Sequence, residues 1–304
     1  MFTTMSLTKR LSLVATAAAA FAFNLNAQPK IPDEYKVGGF AIGCQAYSFN
    51  GYQKLPAPAG KFNGFSVFEA IEKTAAAGGK VIEFYPGQSL SPQEPAVRFS
   101  HDSPPDVIEK VKAKLAQHKV LAVNYGVVGI SKNEAEARKI FQFAKTMGIR
   151  AVTTESADAI NTIEQLVKEF DIAVGFHNHG GAMERPGYKI WNPLYVAGLV
   201  EGRDKRIGVA ADTGHWCTSK LKPIECLRLL QGRIISVHLK DKLDFGQSHD
   251  VPYGEGVADI KACLDELKKQ GFDGNISIEY EYNWENSLPE INKCIDFVRA
   301  YGAK

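Results

Sequence analysis

Several things are scarce in this chain of 304 residues, and each shortage narrows what it can be. Neither sign of charge dominates: 36 lysines and arginines face 34 aspartates and glutamates, for a net charge of +2. A protein without a basic field has little with which to hold a nucleic-acid backbone, so no nucleic-acid partner is expected. Cysteine is rare, at Cys44, Cys217, Cys226, Cys263 and Cys294. An odd number without close pairs does not describe a disulfide framework, and only Cys217 and Cys226 are candidates to pair. No glycine-rich turn follows an early strand pattern, which argues against an open, doubly wound sheet with a phosphate cradle. Tandem repeats are lacking. No apolar run reaches the roughly 20 residues that a spanning helix needs, so stable membrane insertion is not expected.

The longest apolar run does carry information. Lys9 and Arg10 precede Leu11–Phe23, and Leu25-Asn26-Ala27 follows as a small-residue cleavage site. That order is the pattern of a secretory signal peptide. The expected organisation is therefore a signal peptide over 1–27, a linker over 28–38 and one domain over 39–304, exported to the periplasm or beyond.

Within that domain, short apolar stretches alternate with amphipathic ones. The strand candidates are Ala41–Ser48, Lys80–Tyr85, Val120–Tyr125, Ala151–Glu155, Ile172–Asn178, Ile207–Asp212, Ile234–Lys240 and Ile276–Tyr280. Each is apolar nearly throughout, as parallel strands buried on both faces must be. Helical spacing runs between them, over Val67–Ala77, Pro105–His118, Lys132–Met147, Asn161–Phe170, Pro193–Val200, Pro223–Leu230 and Ile260–Gln270, and closes the chain over Pro289–Tyr301. Eight strand–helix repeats predict a closed (β/α)₈ barrel, the α/β TIM-barrel class.

In such a barrel the functional residues gather where the strands end. The ends here are loaded with carboxylates and imidazoles: Glu83, Glu155, His177-Asn178-His179, Asp212 with His215, His238 with Lys240, and Glu279 with Glu281. Taken singly, each reads equally as a loop hydrogen-bonder or an ion pair. Together they predict a shared divalent cation, because converging carboxylates and imidazoles in a dry pocket need one. Oxygen and nitrogen donors without thiolate suit Mn²⁺, Co²⁺, Mg²⁺ or Zn²⁺. Phe49, Tyr85, Trp216 and Tyr280 are candidates for an apolar wall, and equally for packing.

Asp212–Trp216 (DTGHW), Ser236–Lys242 (SVHLKDK), Tyr253–Gly256 (YGEG) and Ile276–Glu281 (ISIEYE) resemble the xylose isomerase-like TIM barrel superfamily, in a likeness that runs from about Gly39 to the C-terminus. That superfamily includes sugar epimerases, inosose isomerases and dehydratases, and metal endonucleases. The resemblance implies metal ligands at Asp212, His238 and Glu279. The family's fifth-strand glutamate has no match, since Gly175 stands there; the fourth ligand is expected from Glu155, with His177 and His179 as alternatives. The resemblance further implies substrate binding by His215.

The chemistry this suits is removal of a proton next to a carbonyl, through an enediolate. Glu155 and Glu279 are the expected catalytic pair, and Glu83, His177, His179, His215 and Lys240 the expected substrate-binding set. An exported enzyme without a phosphate cradle points to an unphosphorylated sugar or glycoside, turned over by an isomerase or epimerase. The family likeness also admits a lyase that removes the C2 proton of a 3-keto-glycoside and expels the group at C1. A non-catalytic sugar-binding barrel would need neither metal nor proton-transfer pair. The sequence leaves open whether the chain forms an oligomer.

Overall fold

Eight of the short apolar runs become eight parallel strands that close on themselves. The computed structural model describes residues 30–51, 64–180 and 185–303; the proposed signal peptide lies outside them. The barrel strands are β1 (Ala41–Gln45), β2 (Val81–Phe84), β3 (Leu121–Tyr125), β4 (Ala151–Thr154), β5 (Ala173–His177), β6 (Ile207–Asp212), β7 (Ile234–Leu239) and β8 (Asn275–Ile278). Each pairs in parallel with its neighbours in chain order, and β8 returns to β1 through Ala41 opposite Asn275. This is the (β/α)₈ TIM barrel that the alternation predicts.

The helices start where local chemistry lets them. Ser66 and Glu69 form a reciprocal capping box at the start of α1 (Val67–Ala76). A proline in the first turn opens α2 (Pro105–His118). Asn133 caps α3 (Glu134–Met147), which Gly148 ends in the left-handed conformation. α4 (Ile160–Phe170) and α5 (Pro193–Val200) follow β4 and β5. α7 (Pro223–Leu229), α8 (Ile260–Lys269) and α9 (Leu288–Gly302) complete the outer ring. Their apolar faces bury Phe84, Phe99, Phe141 and Trp216 to 0–1% exposure against the barrel. Burial of one such aromatic contributes about 2–3 kcal/mol.

Three departures from the sequence pattern matter. Asp212-Thr213-Gly214-His215 does not continue as a loop: it turns directly into a short helix, α6 (Thr213–Thr218), with Asp212 as its cap. Two small antiparallel hairpins, Gln88–Ser89 with Arg98–Phe99 and Asp241–Lys242 with Asp250–Val251, rise from the strand ends. The segment expected to be a linker packs under the barrel, where Ile31 is buried with Ala41, Val81 and Val123.

The second hairpin is organised by one carboxylate. Asp241 accepts hydrogen bonds from the backbone N–H groups of Lys242, Gly254, Gly256 and Ala258, at 2.9–3.1 Å. A Cβ on Gly256 would lie 2.4 Å from that carboxylate, so the close approach requires glycine. The YGEG motif is thus a loop built around Asp241. Asp241→Ala should cost about 2–3 kcal/mol in urea unfolding, since donors left without an acceptor cost about 1–3 kcal/mol each and water can reach some of them. A change below about 0.5 kcal/mol, within the range of ordinary surface substitutions, would contradict this role. All five cysteines, Cys217 and Cys226 included, are free and buried.

Candidate active site at the barrel mouth

Four side chains from four adjacent strands converge at the C-terminal rim. His177 ends β5, Asp212 ends β6, His238 stands opposite Asp212 on β7, and Glu279 follows β8. All four are buried, and each offers a ligand atom within 4.8 Å of those of the others. Backbone and neighbours aim them. Asp212 Oδ1 accepts from the His215 N–H at 2.7 Å as the cap of α6, which leaves Oδ2 facing the group. Asn178 locks the β5 and β6 ends together, donating to the Asp212 carbonyl and accepting from its N–H, both at 2.9 Å.

His238 is held from below. Its Nε2 lies 3.0 Å from Glu83 Oε2, and its Nδ1 lies 3.3 Å from Glu279 and 3.7 Å from Asp212. Ser277 donates to the same Glu83 oxygen at 2.7 Å. Burial opposes a charge on His238, but the carboxylates of Glu83 and Glu279 outweigh it and raise its pKa well above the ordinary value. Glu83, expected to touch substrate, is instead wholly buried beneath His238. A carboxylate on the far nitrogen of a ring is how metal-ligating histidines are oriented.

Lys240 adds a resident positive charge. Its ammonium lies 2.6 Å from Glu279, 2.6 Å from Glu281 and 3.3 Å from Asp212. The side chain is 1% exposed, so Lys240 neutralises the carboxylates instead of lining the pocket. Burial favours the uncharged forms of Asp212 and Glu279, yet neighbouring side chains hold both pKa values well below the carboxylate range: the His215 ring and the Lys240 ammonium for Asp212, Lys240 and His238 for Glu279.

Some buried atoms in the group have no hydrogen-bond partner among the described residues. They are His177 Nδ1 and Asp212 Oδ2, whereas the ring nitrogens of His238 meet the Glu83 and Glu279 carboxylates described above, outside hydrogen-bond geometry. Asp212 Oδ2 meets Lys240, His238 and His215 only at 3.3–3.9 Å. Orphaned buried donors and acceptors of this kind ask for an explanation. Two imidazoles and two carboxylates of suitable spacing fit a divalent cation.

Glu155 is not in that group. It contacts His179 Nδ1 and accepts from the Tyr188 hydroxyl at 2.7 Å. Tyr188 in turn accepts from the His179 backbone N–H at 2.9 Å. β4 stops at Thr154, which leaves Glu155 on the outer lip with the loop after β5. The fourth corner of the inner group is occupied by His177. Burial works against a charge on His179, but Glu155 outweighs it and raises its pKa. His215 differs: burial dominates and pushes its pKa down to about 4. His177, buried among other imidazoles, is lowered well below the ordinary value.

Two cavities adjoin at this rim. An inner one of about 220 Å³ is lined by Tyr47, Tyr85, His179, Glu279 and Glu281, among others. An outer one of about 540 Å³ shares Tyr47, His179 and Glu281 and adds Arg185, His215 and Trp284. Of the substrate-binding set expected from sequence, His179 and His215 line this space; Glu83, His177 and Lys240 lie behind it. The aromatic wall is Tyr47, Tyr85 and Trp284, with Tyr47 edge-on to both partners. Phe49, Trp216 and Tyr280 are core residues. Tyr47 and Trp284 were not legible in advance: Tyr47, inside the expected strand Ala41–Ser48, stands in a short 3₁₀ turn (Ala46–Phe49) past β1, and Trp284 stands in the turn after β8, where nothing in the local pattern marks it.

The profile of the xylose isomerase-like TIM barrels matches residues 71–301. The L-ribulose-5-phosphate 3-epimerase of Salmonella typhi is 40% identical over 74 residues, 24% of this chain and 26% of the enzyme; the chain matches only about a quarter of such curated relatives. Among solved structures, an uncharacterised Parabacteroides distasonis protein is 27% identical, with a TM-score of 0.65 over 86% of this chain and 98% of that one. The D-allulose 3-epimerase of a Methylomonas species shares the fold at 15% identity, with a TM-score of 0.65 over 90% of this chain and 99% of that one. With its eight-stranded barrel and a profile match that spans most of its length, the chain belongs to the xylose isomerase-like TIM barrel family.

Proposed function

We propose that the protein is an exported, divalent-metal-dependent isomerase or epimerase of an unphosphorylated sugar. The observation that carries this reading is Glu279: a buried carboxylate held ionised by Lys240 and His238, at the edge of a cavity. A base beside a cavity is what proton abstraction next to a carbonyl needs. Asp212, His238 and Glu279 would hold the metal, with His177 in place of the expected Glu155. When bound, the ion supplies positive charge to the sugar's carbonyl oxygen and to the enediolate that follows. Glu279 takes the proton from the adjacent carbon. His215 and Arg185 hold sugar hydroxyls in the outer cavity, and Tyr47, Tyr85 and Trp284 shield the carbon from water.

A second reading, a 3-keto-glycoside lyase, is supported by the adjoining outer cavity, which has room for the group at C1. One incubation separates the two. The protein is mixed with Mn²⁺ in D₂O and with D-allulose, D-tagatose, D-fructose or a 3-keto-glucoside. Deuterium beside the carbonyl with the skeleton intact is the expected result. Release of the C1 substituent would establish the lyase. No exchange on any of them, with no bound divalent ion, would leave a sugar-binding barrel.

A further inference from the structure

The two cavities at the rim differ in what they can do. Glu279 lines the inner one and not the outer, and the inner one holds about 220 Å³. A hexose fills about 200 Å³ at the packing density of an organic solid. One sugar ring therefore takes up the compartment that holds the base. The outer cavity, of about 540 Å³, has room for more than that. We propose that it is a binding subsite for a second sugar ring, so that the substrate is a ketose-ended disaccharide whose ketose enters the inner cavity. The placement of the ketose rests on the isomerase or epimerase reading above; the second-ring subsite stands on its own geometry.

The two spaces are joined. Tyr47, His179 and Glu281 line both, and so form a neck through which a glycosidic bond can pass. Glu281 Oε2 accepts from Lys240 at 2.6 Å, while its Oε1 has no protein donor among the described residues and can take a sugar hydroxyl at that neck. The outer wall suits a ring. Trp284 lines the outer cavity and not the inner one, and stands perpendicular to Tyr47 with ring centroids 6.0 Å apart. An indole can cover the C–H face of a pyranose, whose hydroxyls lie around its edge.

Polar groups for that edge come from three elements: Thr218 at the end of α6, Gln247 on the Asp241 hairpin and Arg185 in the segment after β5. An apolar wall with a few polar groups around it is how a small-ligand site fixes orientation. A free monosaccharide in the inner cavity would leave all of this to water. The hydroxyls that His215 and Arg185 meet are then those of the second ring. That ring takes no part in bond making; Glu279 acts on the ketose alone.

D-fructose, maltulose and isomaltulose share one reacting end and differ in the second ring. Deuterium exchange in D₂O with Mn²⁺ gives a KM for each. At least one disaccharide should show a KM about 10-fold or more below that of fructose, the scale of covering one ring face with an indole. Trp284→Ala should bring the two KM values to within about threefold of each other. Gln247→Trp, which puts an indole into the outer cavity, should also remove the preference. A packing defect would move both sugars alike. Occupancy is read without turnover from the fluorescence difference between the parent and Trp284→Phe, since Trp191 and Trp216 are common to both. That difference should respond to the preferred disaccharide and not to fructose. The inference is overturned if neither disaccharide has a lower KM than fructose, if Trp284→Ala shifts both KM values by the same factor, or if the fluorescence difference responds to neither disaccharide. Exchange with a fluorescence difference that stays flat keeps the isomerase or epimerase reading and removes the subsite. A fluorescence response to a disaccharide without exchange on any of the three sugars removes that reading and keeps the second-ring subsite.

Discussion

Glu279→Gln should abolish deuterium exchange, with turnover down by about 10³-fold or more, while the barrel stays folded. General-base catalysis is worth about 10²–10⁴-fold, and Glu279 also shares the charge of the cation site. The substitution keeps the shape of the side chain. It leaves Lys240 paired with Glu281 at 2.6 Å and close to Asp212, so no buried charge is stranded. The far-ultraviolet circular dichroism and the melting temperature should therefore stay close to those of the parent. Exchange within tenfold of the parent would remove Glu279 from the chemistry. A collapsed melting temperature would show that its carboxylate is structural.

The second large effect concerns stability. Lys240→Met should destabilise the metal-free protein by about 3–5 kcal/mol, the cost of stripping one partner from a buried ion pair. Asp212 and Glu279 would face each other without the ammonium between them. For a domain of this size that is a fall of about 6 °C or more in Tm. Mn²⁺ should raise the Tm of the variant more than that of the parent, because the ion no longer shares its carboxylates with an ammonium. Melts in EDTA and in Mn²⁺ measure both quantities. A Tm within about 2 °C of the parent in EDTA would show that Lys240 contributes little to holding this cluster.

What could be read from the sequence follows from what is local. Strand runs such as Ile207–Asp212 are apolar throughout because both faces are buried, and that pattern survives in one dimension. Asp212, His238 and Glu279 were legible because a barrel puts every strand end on one rim. Glu155 was misplaced for the complementary reason. Whether a side chain one residue past β4 turns inward or along the lip depends on Tyr188 and His179, which reach it from the loop after β5. Glu83 and Lys240, expected to bind substrate, lie behind the cavity instead, since sequence gives a residue's position along a strand and not its distance from solvent. α6 was hidden because its cap, Asp212, was read only as a ligand; one carboxylate has two oxygens, and here they have two uses.

The floor of the barrel has its own consequence. Ile31 is buried against the strand starts, Gly302 at the end of α9 abuts Gly38, and Phe40 packs on Tyr301 with ring centroids 6.1 Å apart. Residues 30 and 303 thus both leave the described fold on the face turned away from the rim. A tether at either end, whether a resin, a carrier domain or a lipid, would present the open mouth outward to diffusing sugar.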